Sequence, residues 1–148
     1  MMIFKLMLAA FMALLILGCT ATVSLYPVEG PLSIQRPLPV LRATASGIMG
    51  NSGSITMVTP DGEHFEGKWS SAAGSGVSFG TMSLFSQYAA IYGSGFSVSP
   101  GRGQNPGRAF LIGDRGTTID VEFVTGAGTA NGFGFAKDNR GNVYRVLF

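Results

Sequence analysis

The stretch "TPDGEHFEGKWS", Thr59 to Ser70, constrains the fold more than any other. Its turn residues each have a job. Pro60 presets φ, Asp61 can bond back to the backbone, and Gly62 accepts positive φ. Beyond the turn, Phe65, Gly67 and Trp69 fall on one side of an extended chain, with His64, Glu66 and Lys68 on the other. A period of two with one polar face is that of a half-buried antiparallel strand. It cannot be the stripe of a helix, whose faces repeat every 3.6 residues.

The same grammar recurs downstream. "RAFLIGDRGTTIDVEFV" turns at Asp114-Arg115-Gly116, after which Ile119, Val121 and Phe123 face in and Thr118, Asp120 and Glu122 face out. "GFGFAKDNRGNVYRVLF" turns at Asp138-Asn139-Arg140-Gly141, after which Tyr144, Val146 and Phe148 share a face. These are hairpins that converge on similar turns for geometric reasons, not copies of a sequence repeat. The 22 glycines suit a tightly curved sheet, where glycine marks bulges, bends and close backbone approach. The expected fold is all-β and mainly antiparallel: a small Gly-rich domain of successive hairpins over residues 42–148, barrel-like or a sandwich. One short helix is expected from Thr81 to Ile91, where Met82, Phe85, Ala89 and Tyr92 have helical spacing between a Thr81 cap and Gly93. Leu84, Ser86, Tyr88 and Ala90 suit a strand there as well. "SPGRGQNPGR", Ser99 to Arg108, reads as a loop.

The N-terminus obeys different rules. From Leu6 to Leu17 the chain is apolar for about 12 residues, against the ~20 that a membrane-spanning helix needs. Lys5 precedes this run and small residues follow it. That is the layout of a secretory signal peptide over residues 1–18. The chain's single cysteine, Cys19, closes the run. No internal disulfide can form, so the core must hold the domain without one.

"ILGC", Ile16 to Cys19, resembles a bacterial lipobox: an aliphatic residue, one further residue, Gly or Ala, then Cys. The resemblance covers the first 20 residues and implies location rather than activity. It implies a diacylglyceryl group on the Cys19 thiol, cleavage before Cys19 and acylation of the new amino group. One acyl chain binds a membrane marginally, at about 0.8 kcal/mol per buried CH₂, and two or three make a lasting anchor. Thr20 is not the Asp that tends to retain Gram-negative lipoproteins in the inner membrane. The implied address is therefore the outer membrane, facing the periplasm. Residues 19–41, with Pro27, Pro31, Pro37 and Pro39, are expected to form the lipidated N-terminus and an extended tether. Leu25, Tyr26, Val28, Leu32 and Ile34 are too apolar for a purely solvated linker, so an edge strand or draped arm within it is a further reading.

Catalytic residue types are sparse. The only histidine, His64, lies on the polar side of its strand, which favours a solvated side chain over a catalytic base. One histidine and one lipidated cysteine cannot supply the usual zinc ligands, so no metal is expected. Asp61/Glu63 and Asp120/Glu122 are carboxylates two apart. Such pairs can serve glycosidases, but surface solubility explains these more simply. "GSGVSFG" lacks the Lys and Ser/Thr of a phosphate-binding loop, so no cofactor is expected. Arg102, Arg108, Arg115 and Arg140 all fall in predicted loops or turns, where they could gather into an anion-binding rim. Without the signal the charge is close to neutral, and no block of like charge suggests nucleic acid.

The functional expectation is a membrane-anchored envelope lipoprotein acting as a non-catalytic binding or structural module, and not an enzyme. It resembles the many small lipoproteins of Gram-negative envelopes. Its partners would be the membrane, through the lipid on Cys19, and an envelope protein, glycan or lipid. Two alternatives stand beside it. One is an enzyme or inhibitor acting on envelope polymer. The other is an eight-stranded outer-membrane β-barrel, because "YRVLF", with Tyr144, Val146 and a final Phe148, resembles the C-terminal signal of such barrels.

Overall fold

A computed structural model describes residues 19–71, 103–126 and 129–148. Among them the chain forms strands only: β1 Thr20–Glu29, β2 Leu41–Ser46, β3 Ser52–Val58, β4 His64–Ser71, β5 Gln104–Gly113, β6 Thr118–Gly126, β7 Gly132–Asp138 and β8 Val143–Leu147. Every neighbouring pair is antiparallel, and β8 pairs with β1 to close an eight-stranded up-and-down barrel. Of the two layouts the sequence allows, barrel and sandwich, the chain takes the barrel. Closure leaves no unpaired edge among these strands.

The sequence pattern orients each strand. Phe65, Ile119, Val121, Tyr144 and Val146 are buried inside the barrel. His64, Glu66 and Lys68 on β4, Arg42 and Thr44 on β2 and Arg145 on β8 are exposed on its outer wall. The three Asp/Gly turns stand where expected, with Gly62, Gly116 and Gly141 all at positive φ.

Two expectations are corrected. The tether of residues 19–41 is in part wall: Thr20–Glu29 is a full strand, as the alternative reading of a strand in this segment allowed, but it is paired on both sides rather than at an edge, with β2 from Thr20↔Ser46 to Leu25↔Leu41 and with β8. Pro27 is accommodated because the register with β8 shifts between Pro27 and Glu29, an irregularity that excuses the missing amide. The domain thus begins at Thr20, not residue 42. Likewise Gln104–Arg108, read as loop, belongs to β5, with Pro106 opposite Val124. The helix expected from Thr81 to Ile91 lies outside the described residues.

A meander of this kind has two distinct ends. The β1–β2, β3–β4, β5–β6 and β7–β8 connections gather at one, here the turn end. Cys19, the β2–β3, β4–β5 and β6–β7 connections and Phe148 lie at the other, the open end.

Candidate functional site

The turn end is sealed by two buried carboxylates. Glu63, 1% exposed, follows the β3–β4 turn. Its Oε1 accepts the backbone N–H groups of Thr117, at 3.1 Å, and Arg115, at 3.3 Å. Its Oε2 accepts the Thr117 hydroxyl at 2.8 Å and Arg140 Nη2 at 3.3 Å. Asp138, at the end of β7, accepts the amides of Arg140 and Asn142 on Oδ1, and the Asn142 side chain and Tyr144 hydroxyl on Oδ2. Asn142 in turn accepts the Leu32 N–H at 2.9 Å, which ties in the β1–β2 connection. All four connections of this end therefore join one polar network. Each carboxylate accepts four donors, the condition under which a buried charge is tolerated. Burial, followed by the bond to Asp138, pushes the Tyr144 phenol well above its ordinary pKa.

The open end is built differently, and inward side-chain size is the reason. Read from the turn end toward the opening, β1 presents Leu25, Val23 and Ala21, β2 presents Leu41, Ala43 and Ala45, and β5 presents Leu111, Ala109 and Gly107. The wall recedes there, and also on β3 (Met57, Ile55, Gly53) and β7 (Ala136, Gly134, Gly132). On the remaining three strands it does not: β4 brings Trp69, β6 brings Phe123, and Phe148 follows β8. The result is a cavity of about 380 Å³, floored by Val23, Ile55, Val121 and Val146 and walled by those three aromatics. Ile48 and Met49 reach it from the β2–β3 connection, and Asn51, Asn105 and Thr125 add polar groups. Among the described residues no charged side chain lines it.

The aromatics are held in place. Trp69 Nε1 donates to the Ser46 carbonyl at 2.9 Å, and its ring packs against the core while remaining partly exposed. Phe123 and Phe148 meet edge to face with centroids 5.5 Å apart, a favoured geometry for aromatic pairs. Gly107 makes room for this pair, since a Cβ there would lie 2.3 Å from the Phe123 ring.

The residues singled out in the sequence distribute as follows. Cys19 is exposed immediately before β1 at the open end. His64 is exposed on the outer wall, with its backbone N–H on Asp114. Asp61 is exposed, its carboxyl held below the usual range by the Thr59 hydroxyl. Glu63, expected at the surface beside it, is instead buried in the turn-end network. Glu122 pairs with Arg108 on the wall. Arg115 and Arg140 do come together, but on Asp61 and Glu63, so they form structural ties rather than an anion rim. Arg102 lies outside the described residues. The cavity itself was not anticipated, although the shrinking inward positions of β1, β2 and β5 are a signal for it. No protein-family model matches the chain, no curated protein matches it, and no solved structure matches it.

Proposed function

We propose that this protein is a lipid-anchored module of the bacterial envelope, attached through Cys19, that binds a small apolar ligand without transforming it. The observation that carries the binding half is the tapered cavity: apolar, uncharged, walled by fixed aromatics and edged by a few amide and hydroxyl groups. That composition and size are those of small-molecule sites, and eight-stranded barrels have just enough interior for one ligand. The lipobox-like "ILGC" carries the anchoring half. The arrangement of charge disfavours a membrane-spanning barrel. Arg42, His64, Glu66, Lys68 and Arg145 face outward among exposed apolar residues such as Phe110, Ile112, Phe133 and Leu147, so the outer wall is mixed, whereas a spanning barrel shows lipid a continuous apolar band and loses about 2–4 kcal/mol for each Lys or Arg at the midplane.

The chain from Thr20 onward holds every described strand and can be titrated with a brominated medium-chain fatty acid. Bromine quenches indole at contact, so Trp69 emission falls saturably if the ligand enters. Absence of saturable quenching overturns the binding reading. Equal incorporation of labelled fatty acid by the native chain and by Cys19→Ala overturns the anchor.

A further inference from the structure

The strand that replaces the tether changes what the anchor can do. Cys19 directly precedes β1, whose Ala21 already lines the cavity. In sequence, the apolar run of residues 6–17 ends two residues before Cys19. Whatever holds this terminus in a membrane therefore holds the open end there, with no spacer between lipid and cavity mouth.

The charge distribution agrees. The described open-end segments, residues 19–22, 47–51, 103–105, 129–132 and 147–148, contain no charged side chain. The connection that leaves at Ser71 and returns at Gly103 carries a single charged residue, Arg102, in its sequence. The turn end holds Arg36, Asp61, Glu63, Asp114, Arg115, Asp138 and Arg140. Exposed apolar side chains occur at both ends, Val28, Ile34, Leu38, Val58 and Ile112 toward the turn end, Met49, Phe133 and Leu147 at or beside the opening. What separates the ends is charge. Entry into the headgroup and acyl boundary is opposed mainly by charge and favoured by apolar area. Phe133 and Leu147 are Cα partners on neighbouring strands, so they form one patch on the wall beside the mouth.

We infer that the open end of the barrel rests on the bilayer and that the cavity takes an acyl chain of a bilayer phospholipid directly from it. The inference rests on the anchored-binder reading above and names its ligand and its source. Size fits: a cavity of about 380 Å³ lies within the ~300–1,000 Å³ of small-molecule sites. A medium length of acyl chain fills that space. Chemistry fits as well, since an acyl chain brings no charge to a cavity that offers none.

The test uses the full lipidated protein in phosphatidylcholine vesicles. With Cys19 acylated, a single new thiol can carry an environment-sensitive dye, at Met49→Cys by the mouth or at Ile34→Cys on the turn end. The dye at residue 49 should be quenched by lipid-borne nitroxide and shielded from iodide, and the dye at residue 34 should show the reverse. Equal iodide access at both sites overturns the orientation. Phospholipid brominated along its acyl chains should quench Trp69, and Ala45→Leu should weaken that quenching about tenfold by filling the space, with the residue-49 signal unchanged. Trp69 quenching that is the same in Ala45→Leu, a variant verified to fold by circular dichroism, overturns acyl uptake. Quenching only when brominated chains are built into the Cys19 anchor overturns the bilayer as source. Saturable fatty-acid binding by the chain from Thr20, with no brominated-phospholipid signal in the anchored protein, leaves the cavity reading standing and removes this one.

Discussion

Thr117 donates twice to Glu63, through its backbone N–H at 3.1 Å and its hydroxyl at 2.8 Å, across 54 residues of sequence. The two residues close the turn end of the barrel by joining the β3–β4 and β5–β6 hairpins. The other end is built differently. One end is locked by a satisfied polar network, and the other is left apolar and hollow.

Removing Glu63 tests the lock. Glu63→Ala strands two buried Thr117 donors, each worth about 1–3 kcal/mol when left without an acceptor. The expected loss is about 2–6 kcal/mol, read from the shift in denaturant midpoint. Asp61→Ala, two residues away and exposed, should change the midpoint little. Equal effects of the two substitutions would contradict the network.

Sequence pattern reached the hairpins but not this lock. The inward and outward faces of β4, β6 and β8 could be read because a period of two is a local property, set by each strand alone. Glu63 could not be placed that way. Its donors come from Arg115, Thr117 and Arg140, and only the closing of the meander brings those turns together. The tether failed for a related reason. Four prolines argue locally against regular structure, but Pro27 falls where the β1–β8 register shifts, and Leu25 and Val23 needed an interior. The cavity was legible in principle, in Leu25-Val23-Ala21 and Leu41-Ala43-Ala45. Reading it requires knowing that these tapers point the same way along one barrel.

Alkaline pH should unfold the protein through Tyr144. Its pKa is raised from 10.0, first by burial and then by the bond to Asp138, so the folded state keeps the proton that the unfolded state releases. The contribution is complete below about pH 10 and is lost as pH rises above it toward the folded pKa, at ~1.4 kcal/mol per pH unit. Tyr144→Phe should be less stable at neutral pH by about 1–2 kcal/mol, having lost the hydrogen bond. It should also lose the steeper part of the alkaline decline. Parallel curves for the two proteins from neutral to alkaline pH would rule this origin out.

Trp69 reports the state of the opening. It is the only tryptophan, partly exposed, hydrogen-bonded to Ser46 and packed on the core. Its emission should lie between that of a buried and a free indole, respond partially to iodide and shift red on unfolding. Trp69→Ala should cost about 2–3 kcal/mol, below the ~3–5 kcal/mol of a fully buried aromatic. His64→Ala, on the outer face of the same strand, should stay within about 0.5 kcal/mol of the native protein. Full native quenching of Trp69 with no stability loss in its Ala variant would mean that the ring stands clear of the cavity wall.

Gly107 links packing to the cavity. It is the last step of the β5 taper and lies across from Phe123. An added Cβ would come 2.3 Å from the ring's Cε2 and 2.9 Å from the Ser70 carbonyl oxygen. A side-chain ring can turn away, but a backbone carbonyl in a paired strand has far less freedom. Gly107→Ala should therefore displace Phe123, break its edge-to-face contact with Phe148 and cost about 1–3 kcal/mol, the usual range for overpacking. Phe123 walls the cavity, so binding of a brominated fatty acid should weaken along with stability. Phe123→Leu in the Gly107→Ala background removes the ring that the methyl group meets. The double variant should then be less destabilised than the sum of the two single changes, as expected for neighbours in contact. Strict additivity in the unfolding midpoints would show that the methyl group acts through the Ser70 carbonyl rather than through Phe123.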